Sequence, residues 1–177
     1  MLLPPSLIVF LRHYNNLILL YCFHLLHQGD CPPGWTSLPT GCYFYITGYF
    51  TWFKAVNACK EMNSKLIEVE TRRENEALRS VLPHPRPRGV WIGVSDIIEE
   101  GLWIWNSTGE KAAWSHVNHG LELPWIPGTY EPDDSLNCAF QIIGWTNSGF
   151  GGRWKDGWCL MELEGALCEL PKNITDA

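Results

Sequence analysis

The sequence predicts an α+β domain that is stabilised by disulfide bonds. Two segments show helical spacing of apolar residues, and short segments rich in aromatic and β-branched residues lie before, between and after them. Seven cysteines are present among 177 residues: one lies in an apolar N-terminal stretch, and the other six are spread along the rest. An even set of cysteines without a CxxC pair indicates a disulfide framework in a secreted domain.

The N-terminal segment predicts the destination of the chain. Residues 17–26 form an apolar run of the length found in signal peptides, which is too short to span a bilayer. We therefore expect residues 1–29 to be a signal peptide that is removed together with Cys22, leaving a secreted protein. The alternative is a signal anchor that also uses the preceding apolar run, which would give a membrane-anchored ectodomain.

Two helices are predicted in the first half of the remaining chain. Residues 50–62 contain apolar side chains at helical spacing, and Thr51 can serve as the N-cap. A second helix is expected to begin at Thr71, because Glu74 three residues later completes a capping box in which each side chain accepts the other's backbone N–H. Pro83 ends this helix. Its core-facing residues are expected to be Leu78, Val81 and Leu82.

Strand-forming segments are predicted at 42–45, 66–69, 90–94, 102–105, 138–143 and 166–170. Residues 110–137 show little periodicity but contain several aromatic residues, so we expect an ordered loop with a function. Four tryptophans in strand-like or motif positions are predicted to lie in the core: Trp91, Trp103, Trp105 and Trp154.

An ordered set of short motifs runs from Cys31 to Leu170. These are CPPGW at 31–35, the two helical segments with Cys59, WIGV at 91–94, EEGLWIW at 99–105, EPD at 131–133, WKD at 154–156 and the final Cys168. In this order the chain resembles the C-type lectin-like domain in its long form. The resemblance implies two helices beside small antiparallel sheets, a long binding loop and three disulfides. Residues 171–177 are expected to be a C-terminal tail.

The resemblance also implies how the six cysteines pair, which the spacing alone leaves open among fifteen connectivities. The implied pairs are Cys31–Cys42, Cys59–Cys168 and Cys138–Cys159.

Sugar-binding members of this family hold calcium through side chains of three motifs, and the sugar hydroxyls complete the calcium shell. On this chain the resemblance assigns Glu131 and Asp133 to the tripeptide positions and Asp156 to the Asp that follows a Trp. Lys155 stands where an Asn is expected, and Leu136 stands where a Glu is expected, so three of five side-chain ligands remain. The resemblance assigns sugar contacts to Glu131, Asp133, Lys155 and Asp156, while Trp125, Tyr130 and Trp158 are candidates for stacking on the sugar.

Lys155 leaves two outcomes open, because an ammonium group has only donors and cannot ligate a cation. Either the lysine points outward and calcium binds weakly, or the ammonium group takes the place of the metal among the three carboxylates. We expect weakened calcium binding. The tripeptide offers two acceptors and no donor, so it does not predict which sugar is bound.

A second calcium site is implied by Asp96, Glu100 and Asp134, with an additional oxygen from Asn137. Oxygen ligands of this kind are the ones that calcium prefers. The alternative interpretation is that Asp96 and Glu100 are solvated loop acids.

Net charge, catalytic motifs and glycosylation sequons indicate which classes of function the sequence favours. The formal net charge is −6 and Lys and Arg form no run, which argues against a nucleic-acid partner. No nucleophile elbow or phosphate loop is present, so we expect no enzyme activity. Two sequons, at Asn106 and Asn173, predict a glycoprotein.

We therefore expect a lectin that binds carbohydrate or glycoprotein ligands in extracellular or innate recognition, with Ca²⁺ at a degenerate site. The alternatives are a sugar-independent module that binds a protein partner, and an extracellular matrix or biomineral protein.

Overall fold

The computed structural model describes residues 31–112, 125–126, 135–143 and 151–170. The chain divides after Pro33, and the helices and strands of the described residues all lie in the part that follows. The predicted signal peptide at 1–29 and the predicted tail with Asn173 lie outside the described residues. Within the described residues, no helix is long and apolar enough to cross a membrane.

The described residues form two helices and two four-stranded antiparallel sheets, which confirms the predicted α+β class. The helices are α1 (Trp52–Glu61) and α2 (Arg72–Ala77), and a 3-10 turn at Leu78–Ser80 follows α2. The strands are β1 (Thr36–Leu38), β2 (Gly41–Phe50), β3 (Lys65–Leu66), β4 (Gly89–Ser95), β5 (Ile104–Trp105), β6 (Cys138–Ile142), β7 (Trp154–Gly157) and β8 (Leu163–Glu169). The first sheet has the order β1-β2-β8-β3, and the second has the order β5-β4-β6-β7.

Both helices begin at the predicted caps. Thr51 Oγ1 accepts the Lys54 N–H at 3.3 Å, and Thr71 Oγ1 accepts the Glu74 N–H at 3.2 Å. The second half of the predicted capping box differs: Glu74 accepts the N–H of Glu70 at 3.0 Å instead of that of Thr71. Its other carboxylate oxygen accepts the O–H of Tyr43 in β2 at 2.7 Å. The buried Glu74 therefore also connects α2 to the first sheet.

The strand predicted at 66–69 is shorter than expected. It pairs with β8 for only two residues, because the backbone at Ile67 then connects the two sheets. The Ile67 N–H donates to the Leu167 carbonyl at 2.9 Å, and the Ile67 carbonyl accepts the Gly93 N–H at 2.7 Å. A Cβ atom at Gly93 would lie 2.8 Å from the Leu66 carbonyl oxygen, so the backbone contact requires glycine.

The core is rich in tryptophan, as predicted. The four tryptophans expected to be buried are 0–7% exposed: Trp91, Trp103, Trp105 and Trp154. Leu78 and Leu82 are also buried, and Val81 packs against the same cluster. Leu78, Leu82, Trp103, Trp105 and Trp154 belong to one buried cluster, whereas Trp91 belongs to a second cluster with Trp52 of α1.

Disulfides connect elements that are distant in sequence. Cys59 of α1 is bonded to Cys168 of β8, and Cys138 at the start of β6 is bonded to Cys159 after β7. These are two of the pairs that the resemblance implied. Cys31 and Cys42 are also disulfide-bonded, which accounts for all six cysteines outside the N-terminal stretch.

Candidate functional site

One end of the second sheet brings three chain segments together. Cys138 is in register with Ser95 of β4 on one side and with Gly157 of β7 on the other. The Asp96 N–H, just beyond β4, donates to the Asn137 carbonyl at 3.2 Å. The structure therefore places Asp96 beside Asn137, as a shared calcium site would require.

Asp96 is a buried acid at this end of the sheet. Its side chain belongs to a residue only 2% exposed, and Oδ2 accepts the Gly101 N–H at 2.9 Å. No donor in the described part of the chain reaches Oδ1, which is also buried. A buried carboxylate oxygen without a partner is destabilising, and a cation would satisfy it.

The protonation of Asp96 reflects the same burial. Burial raises the pKa of Asp96, the Gly101 N–H opposes this, and the negative charge of Glu100 adds to it. In the absence of a metal the folded protein therefore holds a proton on Asp96 at higher pH than the unfolded chain does. This group makes the metal-free fold less stable as the pH rises through the raised pKa.

The solvated-acid interpretation applies to only one of the two acids. Glu100 is exposed, whereas Asp96 is buried. Gly101, which supplies the N–H for Asp96, has a φ of +77° and so adopts a conformation that favours glycine. The motif pattern does not reveal this role of Gly101. A Gly five residues after an Asp is the sequence signal that could have predicted it.

Asp156 lies on β7 in register with Ala139 and is 7% exposed, whereas the preceding Lys155 is exposed. Consecutive strand residues point to opposite faces of a sheet, so the two side chains leave β7 on different sides. Among the described residues, no carboxylate forms an ion pair with Lys155. Glu131 and Asp133, the other two carboxylates of the second outcome, lie outside the described residues, so both outcomes for Lys155 stay predictions.

Asp96 and Asp156 belong to different parts of the sheet end. They lie two strands apart and two residues apart along β6, which corresponds to about 12 Å between their Cα atoms. This separation agrees with two calcium sites, one at each acid. The other predicted ligands, Glu131, Asp133 and Asp134, lie outside the described residues, and within the described ranges no group of three potential metal-binding side chains is present.

The aromatic residues predicted to stack on sugar have different environments. Trp125 is 3% exposed and packs between Trp103 and Trp154, with ring centroids 4.7 and 5.7 Å away. The prediction for Trp125 is therefore wrong, because its ring is part of the core. Trp158 is 57% exposed, and Tyr130 lies outside the described residues.

The first sequon, at Asn106, is in a position that a glycosylating enzyme can reach. Asn106 is exposed in the turn after β5, and its N–H donates to the Gly93 carbonyl at 2.8 Å. The following Ser107 is held by Glu68, so the turn has a defined conformation.

Comparison with known proteins places this fold in a family. A family model described as the Lectin C-type domain matches residues 50–170. The chain belongs to this family.

Its relatives include receptors and lectin domains. It is 26% identical to the mouse low affinity immunoglobulin epsilon Fc receptor over 139 residues, which are 78% of this chain and 37% of the receptor. The chain thus spans little more than a third of that relative. The structure of the cow C-type carbohydrate-recognition domain of CD23, determined in the presence of a GlcNAc2Man3 oligosaccharide, is 29% identical and has a TM-score of 0.60, covering 81% of this chain and 98% of that one. A calcium-independent type II antifreeze protein shares the fold at 22% identity and a TM-score of 0.61, covering 78% of this chain and 92% of the other.

Proposed function

We propose that this protein is a secreted, carbohydrate-binding C-type lectin domain that binds calcium weakly and has no enzyme activity. The observation that carries the calcium proposal is the buried Oδ1 of Asp96, which no donor of the described part reaches. The cow domain studied with an oligosaccharide supports carbohydrate as the ligand class. The three disulfides support an oxidising, extracellular location.

Two sets of residues would hold calcium in this proposal. Glu131, Asp133 and Asp156 would hold the ion of the sugar site, and that ion would supply coordination positions for sugar hydroxyls. The second set, Asp96 and Glu100 with Asp134, would hold an ion that relieves the unpaired oxygen of Asp96. The described residues fit the second set at Asp96, which is buried and partly unpaired, and Glu100 follows in the same loop.

The second candidate function is a calcium-independent module for a protein partner. Lys155 favours it, because a cation at this position disfavours calcium in the sugar site. The likeness to a calcium-independent antifreeze protein supports it at the level of the fold alone. Exposed apolar side chains at Ile98 and Trp158, which are 81% and 57% exposed, would suit contact with a protein.

Calcium titration by calorimetry tests the proposal and the role of Asp96. We expect the refolded wild-type domain to bind Ca²⁺ at millimolar or lower concentration, and Asp96→Asn to weaken one site about tenfold or more, because a charged ligand is lost. Without calcium the variant should be at least as stable as the wild type, since the carboxylate whose pKa burial raises is gone. Thermal unfolding with and without calcium measures both effects.

Glu99→Gln is the matched control for this experiment, because Glu99 is an exposed neighbour outside the predicted ligand set. It removes the same charge and should leave calcium binding within about twofold of the wild type. An absence of heat at millimolar calcium in the wild type would sink the calcium proposal. A glycan array with and without chelator then separates sugar from protein ligands.

Lys155→Asn restores the side chain that the family uses at this position. We expect calcium affinity to rise about tenfold, because a positive charge is removed and an amide oxygen is added beside Asp156. Lys60→Asn, on an exposed position of α1, removes the same charge and serves as the control. If calorimetry finds equal affinities for the two variants, Lys155 is not what weakens the site.

A further inference from the structure

The arginines of this acidic protein are unevenly distributed. Five of the seven lie between residues 72 and 88, and a sixth is Arg153. Apart from the adjacent Arg72 and Arg73, other residues separate these arginines in the sequence. In the fold the segments that carry them converge on the last residues of β6.

Three hydrogen-bonded contacts produce this convergence. Gln141 Nε2 donates to Asn75 Oδ1 of α2 at 2.7 Å, the Ile142 N–H donates to the Arg153 carbonyl at 2.8 Å, and the Ile143 N–H donates to the Arg88 carbonyl at 2.9 Å. Three consecutive residues at the end of β6, about 7 Å of strand, therefore hold all three arginine-bearing segments.

Four of these guanidinium groups are not neutralised within the described part of the chain. Arg73, Arg86 and Arg88 are exposed and Arg79 is half-buried, and no described carboxylate forms an ion pair with any of them. Arg86 and Arg88 flank the buried Pro87, so both side chains leave the extended segment on its solvent side. We call these four residues the arginine surface.

Three acids near the arginine surface have hydrogen-bond or ion-pair partners other than its four guanidinium groups. Glu74 is buried and accepts from Tyr43 and from the Glu70 N–H. Glu76 pairs with Arg72 at 2.9 Å, and Glu164 accepts the Arg88 backbone N–H at 3.4 Å. Of the candidate calcium acids, Asp96 lies beside Asn137 at the other end of β6, about 16 Å along the strand from Ile142. Asp96 and the arginine surface therefore lie at opposite ends of β6.

We propose that the arginine surface binds a sulfated polysaccharide. A guanidinium group donates two parallel hydrogen bonds to the oxygens of a tetrahedral anion, and the basic residues of 71–88 are arginines without a single lysine. The same segment contains no Phe, Tyr or Trp, and single-stranded nucleic acid needs such side chains for base stacking. Disulfide-bonded domains also occupy oxidising compartments, where sulfated polysaccharides occur. This proposal is independent of calcium.

Binding to immobilised heparin in the presence of a chelator tests the proposal. We expect the wild type to bind at about 50 mM salt and to elute as the salt concentration rises. Binding releases counter-ions from the polyanion, so added salt opposes binding. The triple variant Arg73→Ala, Arg86→Ala and Arg88→Ala should lose at least about tenfold in affinity. Its log–log salt dependence should become about two to three units shallower.

The control variant carries Lys54→Ala, Lys60→Ala and Lys111→Ala, which removes the same charge from exposed positions of other elements. It should keep the wild-type salt dependence within about one unit. Arg→Lys at the three arginine positions retains charge and should bind with an intermediate affinity, which separates the guanidinium contribution from unfolding. Three results would overturn the proposal: no binding of the wild type at about 50 mM salt, equal losses in the arginine and lysine variants, or equal affinity for single-stranded DNA of matched charge.

Discussion

Replacing Cys59 and Cys168 together by alanine is expected to lower the free energy of unfolding by about 4–5 kcal/mol. The bond closes a loop with a sequence separation of 109 residues, so its removal frees nearly the whole domain in the unfolded state. Both cysteines are fully buried between α1 and the first sheet. Such a loss is comparable with the total stability of a domain of this size.

Chemical denaturation measures this effect, and the second disulfide supplies the comparison. Cys138 and Cys159 are separated by 21 residues, so the same entropic argument gives about 3 kcal/mol for their replacement by alanine. The first double variant should therefore unfold at a lower denaturant concentration than the second. The reverse order would show that contacts in the folded state, and not loop closure, determine what each disulfide contributes.

Glu68→Ala is expected to destabilise the domain by about 3–5 kcal/mol, because it removes one partner of a buried charged network. Glu68 is 2% exposed and accepts three hydrogen bonds, from the Ser107 N–H at 2.8 Å, the Ser107 hydroxyl at 2.7 Å and the Lys65 ammonium at 2.7 Å. The variant leaves the Ser107 donors without this acceptor and weakens the anchor of the turn that carries Asn106.

The pH dependence of stability offers an independent measurement of the same network. Burial on its own lowers the pKa of Lys65, but Glu169 and Glu68 outweigh it and raise the pKa above 10.5. The stabilisation is therefore present at neutral pH and is lost as the pH rises through the raised pKa. Glu68→Ala should show a smaller loss of stability in alkaline solution than the wild type does.

Glu76→Ala is the matched control, because Glu76 pairs with Arg72 through side chains that are about two-thirds exposed, 64% and 66%. An exposed pair contributes at most about 1 kcal/mol, so this variant should unfold close to the wild type in urea. Equal losses from Glu68→Ala and Glu76→Ala would contradict the role given to burial.

Local chemistry explains which parts of this fold are predictable from sequence. The caps at Thr51 and Thr71 depend on residues within three positions, so their spacing alone identifies both helix starts. Glu74 shows where this reasoning fails. Its carboxylate bonds to Tyr43, 31 residues away, and the spacing of a capping box contains no information about that partner.

The candidate site also has features that the sequence predicts and features that only the structure shows. The order of motifs is enough to identify Asp96 and Asp156 as candidate ligands. The burial of Asp96 and the exposure of Lys155 follow from strand pairing, because register decides which face a side chain occupies. The core position of Trp125 depends on two tryptophans 22 and 29 residues away in sequence. The segment around Trp125 has no regular spacing of apolar residues, so the sequence did not predict this burial.

By itself, the sequence determined the α+β class, the two helix starts, the tryptophan core and, through the order of its motifs, the family. These features depend on local spacing or on a pattern that runs along the whole chain. Only the tertiary structure decided that Asp96 is buried, that Glu68 holds Ser107, and that arginines from three segments share one end of β6. Each of these depends on a contact between residues far apart in sequence, and such contacts exist only once the strands of the second sheet are paired in register.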